Sequence, residues 1–425
     1  MTAVINFVRR SPVYSAWIAF LAILLGIGVV SIVTVLIQGL WMTNLSNQLP
    51  WGLWITIDLS SIALGAGAFT LSAAVYIFGI KRYEAIARAA VFIGLLGYTG
   101  AMLALLVDIG RPDRFYHPLL FWNVHSVLWE ITLCVMLYTT VLVMEVLPIV
   151  IESTPLRHVR FLHSLAHFLH RIMPVAALLG MGLSLLHQSS LGATYGVLTA
   201  RPVWFSPSAP VLFILSAVAA GIGATIAFTV ATGMLQRRNL VPADVLNNVA
   251  LLAGAAAAAY LYLKIWSWAA TNYYSHSPAV EHDLELLGEH TPYGFTFWWF
   301  EILLGAVVPA AIYLFPRTRR SKFALFVAGV LSILGVVVYR WNMTLAGFVV
   351  PMDWSPGVLR NLEVATYTPA PIEWGVGIGI VAYWLLAWSL AARFLNLYPE
   401  AEPLEPEPAQ PSYTPTGEEA PAPAR

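Results

Sequence analysis

Ten apolar runs, each long enough to cross a lipid bilayer, make up most of this chain and limit the folds that it can adopt. A spanning helix needs about 20 mainly apolar residues, and inside lipid only helices and closed barrels satisfy every backbone polar group. The runs cover residues 16–42, 52–80, 88–108, 122–148, 172–195, 209–233, 247–273, 295–315, 322–346 and 373–396. We therefore predict an all-α integral membrane protein with ten transmembrane helices.

The composition agrees with this class and excludes others. Hydrophobic residues make up 59% of the chain and charged residues 10%, whereas soluble proteins average about 25% charged residues. The net charge is zero and no basic stretch is interleaved with aromatic residues, which argues against nucleic acid as a partner. The single cysteine, Cys134, excludes a disulfide framework and a cysteine-ligated iron-sulfur cluster within the chain. Any such cluster belongs to a partner subunit.

The distribution of positive charge predicts the orientation, because cytoplasmic loops retain Lys and Arg. One set of alternate loops carries fourteen Lys and Arg residues and the other only four. We therefore expect a multi-pass protein of the bacterial cytoplasmic membrane with both termini in the cytoplasm. The first run lacks a small-residue cleavage site, so we expect a retained helix and not a signal peptide. The loops predicted to face outward are 43–51, 109–121, 196–208, 274–294 and 347–372.

Seven ionisable side chains are the feature of these runs that points to function, because a charge at that depth costs about 2.5 to 3.5 kcal/mol on insertion scales. Counted at about 1.5 Å per residue, all seven lie nearer the predicted outer face, and the inner half contains almost no ionisable group. This asymmetry favours a one-sided pocket over a pore. The seven are Asp58, His125, Glu130, His187, Lys264, Glu301 and Arg340.

The first four of these residues are the candidates for chemistry. Asp58 either exchanges protons with a substrate or pairs with a neighbouring helix for structure alone. Glu130 is a candidate proton carrier, because a desolvated acid binds protons more readily. His125 lies five residues before Glu130, so the two cannot share one narrow helix face. We expect one of them to face substrate and the other a proton route.

His187 and Gln188 form a polar cluster in the fifth run, and a merely hydrogen-bonded histidine is the simpler alternative. Haem ligation needs pairs of histidines on facing helices. Only His125 and His187 lie in the runs, both near one face, so two stacked haems cannot be bound. A metal site is not expected, and His163, His167 and His170 are read as one face of a cytoplasmic helix before the fifth span.

A short internal repeat relates the two halves of the chain. Leu128-Trp129-Glu130-Ile131 is similar to Trp299-Phe300-Glu301-Ile302, and residues 187–192 are similar to 340–345. Both copies run in the same direction, which predicts a parallel repeat of helices 2–5 and 6–9. In the second copy, Lys264, Glu301 and Arg340 are expected to form a buried ion cluster.

Four segments carry a resemblance to the NrfD/PsrC family of membrane quinone-binding subunits. They are Pro50 to Phe69, Asp108-Ile109-Gly110-Arg111-Pro112, Ser126 to Glu130, and His187 to Gly192. The ten-helix form resembles the membrane subunits of hydrogenase-2, menaquinone reductase (Qrc) and alternative complex III. Asp58 stands where shorter family members have a quinone-contacting histidine. Independently of this resemblance, we expect Asp108 either to cap the turn at Gly110-Arg111-Pro112 or to pair with an arginine.

The resemblance implies a haem-free, quinone-reactive subunit of an oxidoreductase complex. The quinone, by this analogy menaquinone, would bind at the outer end of the first bundle through Trp54, Asp58, His125, His187 and Gln188, with Asp58, His125, Glu130 and His187 exchanging protons. An extracytoplasmic iron-sulfur subunit, with further catalytic or cytochrome c subunits, would supply electrons, and quinone reduction is favoured over quinol oxidation. The acidic outer loop with Glu281, Asp283, Glu285 and Glu289 and the 347–372 loop are candidate docking surfaces.

A secondary transporter with a site between the two bundles is the alternative function, and a purely structural anchor is the third possibility.

The predicted organisation has six parts. The parts are a cytoplasmic N-terminus (1–15), a peripheral helix 1 with an outer loop (16–51), a first four-helix bundle of helices 2–5 (52–195), a second of helices 6–9 (196–346), an outer loop with peripheral helix 10 (347–397), and a disordered cytoplasmic tail (398–425).

Overall fold

A computed structural model describes residues 12–199, 201, 203–274, 281, 284–285, 292–349 and 366–399. These residues form helices and turns with no β-strand among them, and ten helices are long and apolar enough to cross a membrane. The predicted all-α membrane fold is therefore confirmed. The spans are α1 (Pro12–Gln38), α2 (Leu53–Tyr76), α3 (Lys81–Asp108), α4 (Val127–Ser153), α5 (Arg160–Gly196), α6 (Ala209–Gln236), α7 (Ala243–Asn272), α8 (Tyr293–Leu314), α9 (Lys322–Val349) and α10 (Pro371–Phe394).

The α5 helix is longer than predicted. It runs for 37 residues and includes the segment with His163, His167 and His170, which was expected to form a separate helix before the fifth span. Pro174 lies inside it without ending it, although proline removes one backbone hydrogen bond. The prediction of two helices here is wrong because the apolar face of the first segment continues into the second.

The α2 and α6 helices cross with unusually close backbones. A side chain at Gly67 would lie 2.4 Å from the carbonyl oxygen of Gly221, and one at Gly221 would lie 2.3 Å from the nitrogen of Gly67. Small residues allow such approach in membrane helices. The two helices carry the same Gly-x-Gly-Ala sequence, at 65–68 and 221–224. This match adds a third pair of similar segments to the proposed repeat.

Helix contacts follow the order that the repeat predicts. The α6 helix packs against α2, α5, α7 and α9, and α4 and α8 pack against α5 and α9 respectively. The α1 helix packs mainly on α10, which in turn contacts α2 and α3. The division into two bundles with peripheral α1 and α10 agrees with these contacts and stays a prediction.

Two helices depart from regular α geometry. The α2 helix is interrupted at Gly65, and α8 contains a π-helix over Thr296–Val307. Long π-helical stretches are rare and often mark functional or strained sites. The sequence predicts neither departure. Because α2 corresponds to α6 in the repeat and α8 to α4, the two interruptions do not form a matched pair.

Several predicted surfaces lie outside the described residues. Of the acidic outer loop, Glu281 and Glu285 are described, whereas Asp283 and Glu289 are not. Also outside the described residues are 350–365 of the second candidate docking loop, 1–11 and 400–425. The predictions made for all these segments therefore stay predictions.

Candidate functional site

Five of the six predicted site residues lie in spans at one end of the molecule, which we call the predicted outer end. They belong to α2, α4 and α5, near the ends of these helices that face the loops predicted to be extracytoplasmic. The five are Trp54, Asp58, Glu130, His187 and Gln188. The five share the predicted end of the molecule but not one depth, because Glu130 lies in the first turn of α4, which begins five residues later than predicted, whereas His187 lies well inside α5.

His125 is the exception. It lies in a turn before α4 and is exposed, because Ser126 caps the helix by accepting a hydrogen bond from the Trp129 amide. The prediction that His125 and Glu130 share one membrane helix is therefore wrong. The serine at the N-cap position was the signal that could have placed this boundary. Contact between His125 and a substrate stays a prediction.

His187 is buried in α5 and forms a pair with Tyr98 of α3. The Tyr98 hydroxyl oxygen lies 2.9 Å from His187 Nδ1, and neither residue has exposed surface. The other ring nitrogen, Nε2, has no hydrogen-bond partner among the described residues. The buried imidazole is thus held at one ring nitrogen and leaves the other available for a further hydrogen bond. Tyr98 was not singled out by the sequence.

Asp58 and Gln188 present the same pattern on neighbouring helices. Asp58 is 5% exposed, and its Oδ1 atom finds no partner in the described part of the chain. Gln188 is fully buried and donates to the Ile62 carbonyl over 3.1 Å, while its Oε1 is likewise unsatisfied. Buried polar groups in native proteins are nearly always hydrogen-bonded. Water, an ion or a ligand completes the bonding of such exceptions.

Glu130 is half-buried in the first turn of α4 and is held by α5. Ser190 donates to Glu130 Oε1 over 2.7 Å. No Lys, Arg or His of the described chain lies within salt-bridge distance of this carboxyl group. A carboxyl group that accepts one neutral hydrogen bond and has no cation can bind and release a proton without breaking an ion pair.

Two further carboxyl groups lie near Asp58, where α2, α3 and α10 meet. Asp108 ends α3, and its carboxyl group interacts electrostatically with that of Asp58 and with that of Glu373 in α10. Glu373 is fully buried and accepts from the backbone nitrogens of Asn44 (3.0 Å) and Ala370 (2.7 Å) and from the Tyr367 hydroxyl. The sequence did not indicate Glu373, because its neighbours come from distant parts of the chain.

Asp108 does not pair with an arginine as expected. Arg111 instead forms a salt bridge of 2.9 Å with Asp113, and both side chains are exposed. The hydrogen bonds from Arg111 lower the pKa of Asp113. Asp108 Oδ1 is buried and has no partner among the residues that the structure describes. Among the described residues, no cation lies within salt-bridge distance of Asp58, Asp108 or Glu373.

Trp54 connects this region to α10. Its indole nitrogen donates to the Glu373 carbonyl over 3.1 Å, and its side chain is 1% exposed. The bond orients α2 against α10 and uses the only donor that the indole has. Direct contact between Trp54 and a quinone stays a prediction.

The second half carries a different cluster around Glu301. Lys264 Nζ lies 2.7 Å from Glu301 Oε1, and Tyr260 and Asn342 each donate to the same carboxyl group over 3.0 Å. Arg340 is fully buried beside them, with its guanidinium 3.5 Å from the centre of the Phe213 ring. The predicted ion cluster is thus a Lys264–Glu301 pair with Arg340 stacked on an aromatic ring nearby.

The inner half is less empty of ionisable groups than the sequence suggested. Glu145 lies in the inner part of α4 and is 7% exposed. The expectation of a nearly uncharged inner half therefore needs this correction. Glu145 was missed because the apolar residues around it dominate the run.

Two cavities stand out among the described residues, and neither is lined by the candidate residues of the first half. One, of about 20 Å³, lies between α6, α7, α8 and α9 and is lined in part by Glu301 and Tyr260. The other, of about 230 Å³, lies at the inner ends of α6, α7 and α9. Neither cavity touches His187, which has no exposed surface.

The amino-acid sequence is similar to those of several known membrane subunits. The chain is 34% identical over 400 residues to the menaquinone reductase integral membrane subunit of Nitratidesulfovibrio vulgaris, covering 91% of this chain and 92% of the relative. It is 25% identical to the Hdr-like menaquinol oxidoreductase integral membrane subunit of Archaeoglobus fulgidus, covering 84% and 88%. It is 27% identical to the probable Ni/Fe-hydrogenase 2 b-type cytochrome subunit of Escherichia coli, covering 84% and 86%.

These relatives are membrane subunits of reductase or oxidoreductase complexes, which supports a role for this chain in an oxidoreductase. The family model described as polysulphide reductase, NrfD matches residues 41–352. That range includes α2 to α9 with nearly all the polar residues described above. The resemblance seen in the sequence is confirmed, and the chain belongs to the NrfD family.

Proposed function

We propose that this chain is the quinone-reactive membrane subunit of a respiratory oxidoreductase and that its quinone site lies at the predicted outer end of α2 to α5. One observation carries the proposal, namely that Asp58, His187 and Gln188 each leave a buried polar atom without a described partner in one region. Quinone carbonyl and hydroxyl oxygens are groups that could complete these bonds. The names of the menaquinone-linked relatives support menaquinone as the substrate.

The chemistry of the substrate explains why acids and an imidazole are needed. Reduction of a quinone to a quinol takes up two electrons and two protons, one at each oxygen. If the Tyr98 hydroxyl donates a hydrogen bond to His187 Nδ1, the single N–H proton of the neutral imidazole resides on Nε2. His187 would then donate to one quinone oxygen. Glu130, which has no cation partner in the described chain, would supply a proton at the site.

Protons would reach the site from the outer surface through Asp58, Asp108 and Glu373. The three carboxyl groups are neighbours, and none has a cation within salt-bridge distance among the described residues. Their electrostatic contacts run from Asp58 inside the helices to Asp108 at the end of α3. Asp108 is half-buried at the end of α3, whereas Asp58 and Glu373 are buried. The series would therefore join the candidate site to the outer face.

Entry of the substrate would occur beside Glu130. His187 is fully enclosed, whereas Glu130 is half-buried, and both Leu128 in the first turn of α4 and Trp122 in the preceding loop are exposed. Separation of the outer ends of α4 and α5 would break the single Ser190–Glu130 hydrogen bond, which contributes only about 1.5 to 3 kcal/mol when one partner is charged. Quinone binding and exposure of the His187–Tyr98 pair would thus occur together.

Electrons would come from an iron-sulfur subunit bound at the outer face, with further catalytic or cytochrome c subunits behind it. We favour quinone reduction over quinol oxidation, because the relative at 34% identity is named a menaquinone reductase and the one named a menaquinol oxidoreductase is at 25%. The proposal includes cytoplasmic termini in the bacterial cytoplasmic membrane and no haem in this chain.

Photolabelling of the purified complex with an azido-menaquinone analogue tests the proposal. Labelling confined to peptides of α2 to α5, competed by unlabelled menaquinone and accompanied by quinone-linked redox activity, is the expected result. Labelling confined to the second half, or activity that persists in a complex stripped of this chain, would overturn it.

A secondary transporter is the second candidate, and the break in α2 at Gly65 is the observation that favours it. Transporters place broken helices in corresponding positions of their repeats, whereas α6 is continuous. Solute uptake by proteoliposomes that contain this chain alone would replace the first proposal by the second.

A further inference from the structure

A basic cleft opens at the inner ends of α6, α7 and α9, far from the proposed quinone site. Its volume is about 230 Å³, and its wall is formed by the last turns of α6, the connector to α7 and the first residue of α9. The lining residues are Thr229, Val230, Gly233, Met234, Arg237, Arg238, Asn239, Leu240, Val241, Leu246 and Lys322. This end carries the excess of Lys and Arg that predicts the cytoplasmic side.

Three cations and no acid line the cleft among the residues that are described. The cations are Arg237, Arg238 and Lys322, and none of them forms a salt bridge with a carboxylate in that part of the chain. Lys322 donates to the Asn239 side-chain oxygen, which fixes it at the wall. A concave site with three positive groups attracts an anion with several oxygen acceptors, and arginine binds phosphate groups with two parallel hydrogen bonds.

The backbone at Arg237 is a second, independent sign that the arginine is there for its side chain. Arg237 has φ 53° and ψ 40° and is the only non-glycine residue with positive φ among those described. The amide of Arg238 donates to the Gly233 carbonyl over 2.9 Å, which ends α6 in the motif that normally places glycine at the Arg237 position. An arginine in a glycine conformation carries strain, and strained residues cluster at ligand sites.

Apolar side chains border the cations on the side of the membrane. Met234 and Leu235 in the last turn of α6 are exposed, as is Phe323 beside Lys322. These side chains lie at the predicted inner ends of the spans, the level at which acyl chains would meet the head groups. A free anion would use only the cations, whereas a phospholipid would use both surfaces.

We propose that this cleft binds the phosphate head group of an anionic phospholipid, with the acyl chains against Met234, Leu235 and Phe323. The site holds α6, α7 and α9 together through one ligand at their inner ends. Its occupancy does not depend on the proposed quinone chemistry, so the two proposals fail separately.

Native mass spectrometry of the detergent-solubilised complex tests this proposal. The variant Arg237→Gly with Lys322→Gln removes two charges, and glycine suits the positive φ, so the helix end is kept. We expect the variant to retain about tenfold less anionic phospholipid than the wild-type complex, which corresponds to about 1.4 kcal/mol, with unchanged retention of neutral lipid. The control is Arg317→Gln, an exposed cytoplasmic-side arginine outside the cleft.

The outcomes separate the sources of the phosphate group. Equal retention of anionic lipid by variant and wild type would overturn the proposal, as would an equal loss in the Arg317→Gln control. If millimolar inorganic phosphate raises the thermal midpoint of wild type but not of the variant while no lipid is retained, the cleft binds free phosphate and the lipid assignment is wrong. Should the double variant not assemble, Arg238→Gln alone is measured in the same way.

Discussion

Glu130 and Glu301 occupy matching places in the two halves, and their surroundings differ in charge. Glu130 accepts one hydrogen bond of 2.7 Å from Ser190 and has no cation within salt-bridge distance in the described chain. Glu301 is 2% exposed and is bound by Lys264, Tyr260 and Asn342. The same residue type, in a similar sequence, is thus uncompensated in one half and neutralised in the other.

This difference separates a group that can exchange protons from one that holds helices together. A buried ion pair keeps its carboxylate charged, and removal of one partner leaves an uncompensated charge. An acid without a cation has no ion pair to break when it takes up or releases a proton. On the proposed function, Lys264 therefore restricts proton chemistry to the first half of the chain.

The largest effect is expected on stability in the second half. Lys264→Met leaves the buried Glu301 carboxylate without its cation, and the free energy of unfolding should fall by about 3 to 5 kcal/mol. Thermal unfolding of the solubilised complex measures this. The double variant Lys264→Met with Glu301→Gln should recover most of the loss, because no buried charge remains. A single variant as stable as wild type would remove the structural role of the pair.

The matching change in the first half should act on turnover and leave stability nearly unchanged. In Glu130→Gln the amide oxygen still accepts from Ser190, so the free energy of unfolding should change by about 0.5 kcal/mol or less. Loss of the proton carrier should lower quinone turnover by about 100-fold. Steady-state kinetics with a menaquinone analogue is the measurement. Wild-type turnover in this variant would exclude Glu130 from the mechanism and would also weaken the contrast with Glu301.

A smaller effect is expected from Asp108→Asn, which tests whether the uncompensated acids of the first half form a proton route to the outer face. Turnover should fall by about tenfold with KM for quinone unchanged, and it should become more sensitive to replacement of water by deuterium oxide. Asp113→Asn is the control, because Asp113 is exposed on the outer loop in its salt bridge with Arg111 and is not part of the route. Equal slowing of turnover by the two changes would exclude Asp108 from the route.

Glu145→Gln distinguishes proton uptake from the outer face from proton uptake from the inner face, because Glu145 is a buried acid in the inner part of α4. If protons come from the outer face, Asp108→Asn slows turnover more than Glu145→Gln does. The reverse order, measured under the same conditions, would overturn the outer route and leave the quinone site itself in place.

The smallest effect is expected from Tyr98→Phe, which removes the hydroxyl that holds His187 Nδ1 at 2.9 Å. Loss of one neutral hydrogen bond of about 1 kcal/mol should slow turnover by about fivefold. Tyr138→Phe is the matched control, because its ring packs edge-on against Tyr98 at 4.7 Å and its hydroxyl does not bond to His187. Equal effects of the two changes would show that packing, and not orientation of the imidazole, matters at this position.

The sequence by itself determined the fold class, the number of spans and the end of the molecule at which most of the predicted site residues lie. These follow from local properties, since the length and polarity of each run decide whether it can enter lipid. The family could also be identified from short motifs, and the match over residues 41–352 confirms it. Boundaries were less certain where a cap decided them, as Ser126 does for α4, and this is why His125 was misplaced.

Only the tertiary structure decided which polar groups meet. Tyr98 and His187 are 89 residues apart, and Trp54 and Glu373 are 319 apart, so no pattern along the chain relates them. The same is true of Lys264 and Glu301, whose pairing distinguishes the second half from the first. Hydropathy is a property of each segment alone, whereas the compensation of a buried charge depends on which helices pack together.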